Sequence, residues 1–288
     1  MTNLPGQKYQ VNGNEPILLD DPNKIWTVER GSIALFAVTI KDGAIAGSRR
    51  YLCSIDRGFA LFGTAISNSP SASLIIAVPI GETELINLNR QYFHDLVTNT
   101  DAQAIAWIEN WLQQLSSTLS YLAIPAIQVR ANSPAKYSLL KSQTLQSETD
   151  VCWLQLQQGS VNLLGFAELT LNPETGLFPL NQKLWLEASE ASQLTTTTTL
   201  AISNSHTIVT GLSQFNTQIL QAIDIFDQRE TETEVQRLRD RQRLNRQVTA
   251  EALGELASTL NYQDGDFFLE CTPLLVAAGA VGRTRESG

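Results

Sequence analysis

The chain has 288 residues, which leaves room for two domains with apolar cores. Its net charge of −9 argues against a nucleic-acid partner, because no basic surface is available to neutralise phosphates. Its three cysteines lack the spacing of metal or redox sites, and the N-terminus lacks the apolar core of a signal peptide. The apolar runs are shorter than the roughly 20 residues that span a bilayer. We therefore expect a cytoplasmic protein without a membrane span.

Residues 1–96 alternate short apolar segments with turn residues, a pattern typical of a small barrel or jelly roll. The predicted strands are Ile17–Leu19, Ile25–Glu29, Ser32–Ile40, Arg50–Asp56 and Leu74–Ile80. Leucines and a tyrosine spaced by three and four then predict a helix over Glu82–Asp95.

A second helix is predicted over residues 101–122, where apolar residues recur at intervals of three and four. Asp101 is its predicted N-cap. Trp107 and Trp111 lie on the apolar stripe, so we interpret both as core residues, since a helix stripe needs no ligand to explain it.

One pattern occurs twice in the chain. Residues 25–36 and residues 153–164 each place a Gly-Ser pair between two apolar strands, at Gly31-Ser32 and at Gly159-Ser160. Glycine supplies the backbone angle of a tight turn, so each copy predicts a β-hairpin. Two copies favour two small β modules of similar design, although hairpins around Gly-Ser are common enough for coincidence to stay open.

The second module continues through predicted strands at Leu169–Leu171 and Phe178–Trp185, and residues 195–199 favour a strand or a loop over a helix. From Leu212 the period becomes helical, with one stripe running to Phe226. The charged residues 229–246 are typical of a solvated helix face, and a coiled coil or a docking helix is the alternative.

Motifs of catalysis and metal binding do not occur in the sequence. No lysine follows a glycine, which excludes a P-loop. His94 and His206 have no cysteine or carboxylate cluster nearby at metal-ligand spacing, and His94 is predicted near a helix end, where a cation is favourable. We therefore predict no catalytic residue, no metal, no cofactor and no enzymatic activity.

A set of weak motifs follows one another in a specific order along nearly the whole chain. The segments are Pro16–Pro22, Ile25–Gly31, Phe36–Val38, Gly47–Leu52, Gly58–Gly63, Val161–Gly165, Gly176–Leu180, Trp185–Ala188 and Thr272–Gly282. In this order they resemble the N-terminal cytoplasmic region of ABC-transporter permease/ATP-binding proteins that export bacteriocins with nitrile-hydratase-like leader peptides. In that family a membrane bundle and a nucleotide-binding domain follow, so we expect this chain to be a separated region, or a truncated or split product, of such an exporter.

The resemblance implies that the first module is similar to cyclic-nucleotide-binding domains, in which a small β-roll precedes helices. Such domains hold the cyclic phosphate at a helix N-terminus after Phe-Gly-Glu and with an arginine in a Pro-Arg-x-Ala-Thr string. The matching cassette residues here are Phe62, Gly63, Thr64, Pro70, Ser71, Ala72 and Ser73. In this chain a threonine replaces the glutamate of Phe-Gly-Glu, whose carboxylate would bind the ribose hydroxyl, and a serine replaces the arginine. Residues 58–89 contain no Lys or Arg. The resemblance therefore implies a degenerate cassette, with the fold kept and the ligand lost.

The predicted fold class is α+β, with two small cupin-like or cyclic-nucleotide-binding-like β-rolls and with connecting and C-terminal helices. The predicted domains are a degenerate cyclic-nucleotide-binding-like roll at residues 1–98, a connecting helix at 99–125, a second small roll at 126–210 and a helical segment at 211–288 that leads to the absent transporter core.

The predicted function is that of a non-catalytic regulatory or substrate-docking region of a peptide exporter. The implied partners are the transmembrane and ATPase parts of the transporter, a leader peptide and a second copy in a homodimer. The transporter would hold the chain at the inner face of the plasma membrane. Two alternatives stay open, namely a small-molecule sensor with a pocket in a β-roll, and a structural spacer that orients a dimer through the long helix.

Overall fold

Long antiparallel strands form one six-stranded sheet in the first part of the chain. In the computed structural model, which describes residues 4–13, 15–41, 44–65 and 71–259, the strand order is β1-β6-β3-β4, with β2 paired to β6 and β5 paired to β3. The strands are Gly6–Val11 (β1), Ile17–Leu18 (β2), Ile25–Lys41 (β3), Ala44–Asp56 (β4), Ala60–Phe62 (β5) and Ser71–Leu88 (β6). Two helices follow, Arg90–Thr98 (α1) and Ala102–Ser117 (α2).

Two smaller sheets follow α2. Their strand orders are β13-β10-β15-β8 and β12-β11-β14-β9-β7, and all pairs are antiparallel except β7 with β9. The strands are Val129–Ala131 (β7), Ala135–Leu139 (β8), Thr144–Ser147 (β9), Cys152–Gln158 (β10), Val161–Leu163 (β11), Thr170–Leu171 (β12), Leu177–Leu180 (β13), Trp185–Ala188 (β14) and Ser192–Thr197 (β15). The prediction of a β-rich chain with helices is confirmed in this form, whereas the cupin-like comparison and the four domain boundaries stay predictions.

Neither Gly-Ser pair forms a hairpin turn, so the prediction of hairpins is wrong. Gly31 lies inside β3, where the register with β6 shifts as in a β-bulge, and β3 exchanges its neighbour β5 for β4 across this point. Gly159 separates β10 from β11, which belong to different sheets. Both glycines have φ of 81°, an angle that serves a bulge or a corner as well as a turn. The sequence repeat therefore marks two places where the chain changes strand partner.

The helix predicted over Glu82–Asp95 is wrong in its first half, because residues 82–88 belong to β6 and α1 begins at Arg90. This part of β6 pairs with β1 on one side and with β3 on the other. Leu85 and Ile86, which are neighbours in the strand, are both buried. A strand buried on both faces loses its period-2 pattern, so its apolar residues can match a helical spacing.

Helix α2 confirms the prediction of a capped helix with a tryptophan stripe. The Asp101 side chain accepts hydrogen bonds from the backbone N–H groups of Gln103 and Ala104. Trp107 and Trp111 are buried, as predicted, in one continuous apolar core that runs from Val11 to Ile223. This core includes strands of all three sheets, so the two β modules share it. A second, smaller apolar cluster of Val38, Leu74 and Ile76 lies on β3 and β6 of the first sheet.

The last helix that the structure describes is Ser205–Thr259 (α3). The chain divides into two units, residues 1–226 and residues 227–288, and α3 has residues in both. In the first unit the predicted stripe is buried at Leu212, Phe215, Ile219 and Ile223. In the second unit the described side chains of residues 228–244 are exposed to solvent. This exposure agrees with the interpretation of the charged segment as a solvated helix face, and the motif at residues 272–282 lies outside the described residues.

Glu109 on α2 provides a test of the packing between this helix and the second module. Burial raises the pKa of Glu109, a hydrogen bond with Thr199 opposes the change, and the Asp150 carboxylate adds to it. The folded chain therefore binds this proton more tightly than the unfolded chain does. The resulting stability is present below the ordinary pKa and is lost as the pH rises through the raised one.

Replacing Glu109 by glutamine is expected to raise the urea midpoint of unfolding at pH 7.5, with a gain that shrinks towards pH 4. The variant stays uncharged at both pH values, whereas the wild-type carboxyl ionises at the higher one. Asp150→Asn is the matched control and is expected to give a smaller gain, because Asp150 contributes less to the pKa change than burial does. An equal gain from Glu109→Gln at both pH values would contradict the prediction.

Candidate functional site

The first half of the predicted cassette lies at the end of β5 and is packed into the core. Phe62 is buried and contacts Phe93 and Trp111 edge to face, with ring centroids 6.0 and 5.9 Å apart. Thr64 is also buried, and its hydroxyl oxygen has no hydrogen-bond partner among the described residues. In a cyclic-nucleotide-binding domain this position would carry the carboxylate that binds the ribose hydroxyl. In this chain it carries a buried, neutral side chain.

Gly63 is required by the close approach of another backbone segment. A Cβ atom at this position would lie 2.1 Å from the carbonyl oxygen of Asp21. The next residue continues the contact, since the Thr64 N–H donates to the Leu19 carbonyl at 3.0 Å. Residues 62–65, called the cassette loop below, are thus held against the segment that follows β2, and only glycine fits at this contact.

Helix α3 covers the same loop through Asn216, whose side chain is fully buried. Its Nδ2 group donates to the carbonyls of Phe62 and Gly63 at 3.2 and 3.3 Å, and its Oδ1 atom accepts from Trp111 Nε1 at 2.9 Å. One turn earlier, Ser213 Oγ accepts from the Ala65 N–H at 2.9 Å. Helix α3 therefore satisfies the carbonyls of Phe62 and Gly63 and the N–H of Ala65, and among these loop groups only the Thr64 hydroxyl is left without a described partner.

The second half of the cassette begins β6. Pro70 lies outside the described residues, and the structure describes the backbone of Ser71 and Ala72 but not their side chains. Ser73 Oγ donates to Asp224 Oδ2 of α3 at 2.5 Å. A carboxylate is thus the partner at this end of the cassette, and it would repel a phosphate rather than neutralise it.

Two of the three cysteines lie among the residues that the structure describes. Cys53 and Cys152 are buried, and burial raises the pKa of the Cys53 thiol to about 12. Burial also raises the pKa of Cys152. Cys271 lies outside the described residues. A thiol held in its neutral form is a poor nucleophile, so these two side chains serve packing.

The described residues contain neither a metal-binding cluster nor a helix that could cross a membrane. Within residues 4–13, 15–41, 44–65 and 71–259, no cluster of three or more His, Cys, Asp or Glu side chains could hold a metal ion. Over the same residues, no helix combines the length and the apolar character that crossing a bilayer requires.

Neither a protein-family model nor a curated protein matches the chain. Among solved structures, a CooA mutant from Carboxydothermus hydrogenoformans matches at 12% identity with a TM-score of 0.29, covering 42% of this chain and 75% of its own. The regulatory domain of Toxoplasma gondii PKA with cAMP matches at 10% identity with a TM-score of 0.22, covering 78% and 85%. Unbound oxidised CprK matches at 12% identity with a TM-score of 0.27, covering 47% and 68%.

TM-scores this low do not establish a common fold between this chain and these structures.

Asn216 and Ser213 are not among the predicted site residues, although the sequence contains a signal for them. Both lie among the apolar residues of the stripe from Leu212 to Ile223, where a polar side chain facing the core needs a hydrogen-bond partner. The identity of that partner, a loop about 150 positions earlier, depends on the tertiary fold.

Proposed function

We propose that the chain is a non-catalytic regulatory or docking region whose first β module is cyclic-nucleotide-binding-like in form and does not bind a nucleotide. The main support for the proposal is that α3 packs over the cassette loop and forms hydrogen bonds with it. Asn216 and Ser213 bond the loop, and Asp224 bonds Ser73. An anion entering this site would have to displace buried hydrogen bonds without gaining a cation in return.

Cyclic AMP and cyclic GMP are expected to show no measurable binding at micromolar concentration. Residues 58–89 contain no Lys or Arg, and loss of the partner of a desolvated charge pair costs about 2–5 kcal/mol. Isothermal titration calorimetry of the 288-residue chain checks this, with a cAMP-binding regulatory domain as the positive control. A low-micromolar dissociation constant would show that an arginine from elsewhere in the chain reaches the cassette.

The partner class comes from the sequence resemblance alone. We propose that the chain docks to the transmembrane and ATPase parts of a peptide exporter and to the leader peptide of its cargo. Strand β4 offers a means of docking a peptide, because it lies at the end of the strand order of its sheet and pairs only with β3 among the described strands. An extended peptide can add to such an edge through main-chain hydrogen bonds.

A pull-down with a nitrile-hydratase-like leader peptide tests the docking role. The expected result is capture of the purified chain by the leader and none by a scrambled peptide of the same composition. Equal capture by both peptides, or by neither, would remove the leader from the proposal.

The alternative function is a small-molecule sensor, whose pocket was predicted in a β-roll. The observation that favours a sensor lies elsewhere: a cleft lined by an arginine, two histidines and neutral polar side chains is found between α1 and the start of α3.

A further inference from the structure

A cleft of about 450 Å³ lies between α1 and the start of α3. This volume falls within the range of about 300–1,000 Å³ that is usual for small-molecule sites. Two segments that are far apart in the sequence line it, and both histidines of the chain are among the lining residues. The lining residues are Arg90, Gln91, His94, Asn204, Ser205 and His206.

The charge of this cleft differs from that of the whole chain. The chain has a net charge of −9, whereas no carboxylate is present among the residues that line the cleft. Arg90 forms no ion pair with any residue that the structure describes. Asp95, one turn further along α1, accepts a hydrogen bond from Gln91 Nε2 at 2.8 Å. A guanidinium group and two imidazoles therefore face the cleft without a carboxylate among them.

The hydrogen-bond donors that the cleft offers to a ligand are side chains, because asparagine side chains already cap the N-terminal N–H groups of both helices. Asn204 Oδ1 accepts from the backbone N–H groups of His206 and Thr207, and an asparagine caps α1 in the same way. His94 lies in the second turn of α1, not at a helix end, and its Nδ1 atom is 2.9 Å from Ser205 Oγ. This hydrogen bond joins the two walls of the cleft and leaves the Nε2 atom of His94 as the ring nitrogen available for another partner.

We infer that this cleft binds a small anion that carries a phosphate group. A guanidinium binds phosphate oxygens through two parallel hydrogen bonds, and imidazole N–H groups donate to the remaining oxygens. Arg90 and His94 of α1 and His206 of α3 line the cleft from two helices, so donors from both walls are available to a phosphate. Inorganic phosphate and an organic phosphomonoester share this chemistry. The inference goes beyond the docking role and does not depend on it.

Histidine NMR tests the inference directly, because the only two imidazoles of the chain line the cleft. The imidazole Cε1–H resonances are followed while inorganic phosphate, glycerol 3-phosphate or acetate is added at constant pH and ionic strength. The expected result is a saturable shift of both resonances with inorganic phosphate or glycerol 3-phosphate and only a weak response to acetate. Tighter binding of glycerol 3-phosphate than of inorganic phosphate would identify a phosphomonoester as the ligand, and equal binding would identify phosphate itself.

Variants connect the shifts to the cleft. Arg90→Gln is expected to weaken phosphate binding about tenfold or more, the size of one lost charge-assisted hydrogen bond. Arg49→Gln removes an exposed arginine on β4 and is expected to leave the affinity unchanged. Thermal unfolding of both variants verifies that they are folded. The absence of a saturable shift, an equal response to acetate, or equal effects of the two substitutions would overturn the inference.

Discussion

Replacing Trp111 by alanine is expected to lower the free energy of unfolding by about 3–5 kcal/mol, the usual cost of truncating a buried tryptophan. The Trp111 side chain is 0% exposed, and its ring contacts Phe62 edge to face. Its Nε1–H is also the donor to the buried Asn216 amide oxygen. The substitution therefore opens a cavity and leaves a buried acceptor unpaired. Urea unfolding followed by far-ultraviolet circular dichroism measures the loss.

Two controls separate the cavity from the hydrogen bond. Trp111→Phe keeps most of the ring volume and removes the N–H donor, so it is expected to cost about 1–3 kcal/mol. Trp26→Ala truncates a tryptophan that is only partly buried at the edge of the core, beside Tyr9, and is expected to cost less than Trp111→Ala. Equal losses for Trp26→Ala and Trp111→Ala would contradict the assignment of Trp111 to the centre of the core.

Replacing Asn216 by alanine is expected to cost about 2–4 kcal/mol, because each buried polar group left without a partner costs about 1–3 kcal/mol. The affected groups are the carbonyls of Phe62 and Gly63 and the indole N–H of Trp111. The loss would loosen the contact between α3 and the cassette loop. Chemical denaturation measures the stability, and hydrogen exchange of the loop amides measures the local opening.

The matched control for this prediction is Gln221→Ala, an exposed position on the same helix, which is expected to change stability by less than about 0.5 kcal/mol. If Asn216→Ala were as mild as this control, α3 would not be the element that closes the cassette. Faster hydrogen exchange of the loop amides, without faster exchange of the amides of α3, would locate the effect at the Asn216 contacts.

Local patterns predicted α2 and the buried face of α3 correctly, because an N-cap residue and an apolar stripe are specific to helices. Asp101 before an apolar stripe predicted the start of α2, and the stripe from Leu212 to Ile223 predicted the buried face of α3. The Gly-Ser pairs predicted the wrong structure. A glycine at positive φ forms a turn, a bulge or a corner equally well, and the choice depends on which strand lies alongside.

The cassette shows the same division at the level of the site. The lack of a cation in residues 58–89, and the threonine and serine at the positions that the resemblance marks, are properties of the amino-acid order and needed no structure. The bonds of Asn216 and Ser213 to the cassette loop, and the cleft that both His94 and His206 line, depend on the tertiary fold. The residues concerned lie more than 100 positions apart in the sequence. The packing of strands and helices around a shared core brings them together, and a local sequence pattern does not encode that packing.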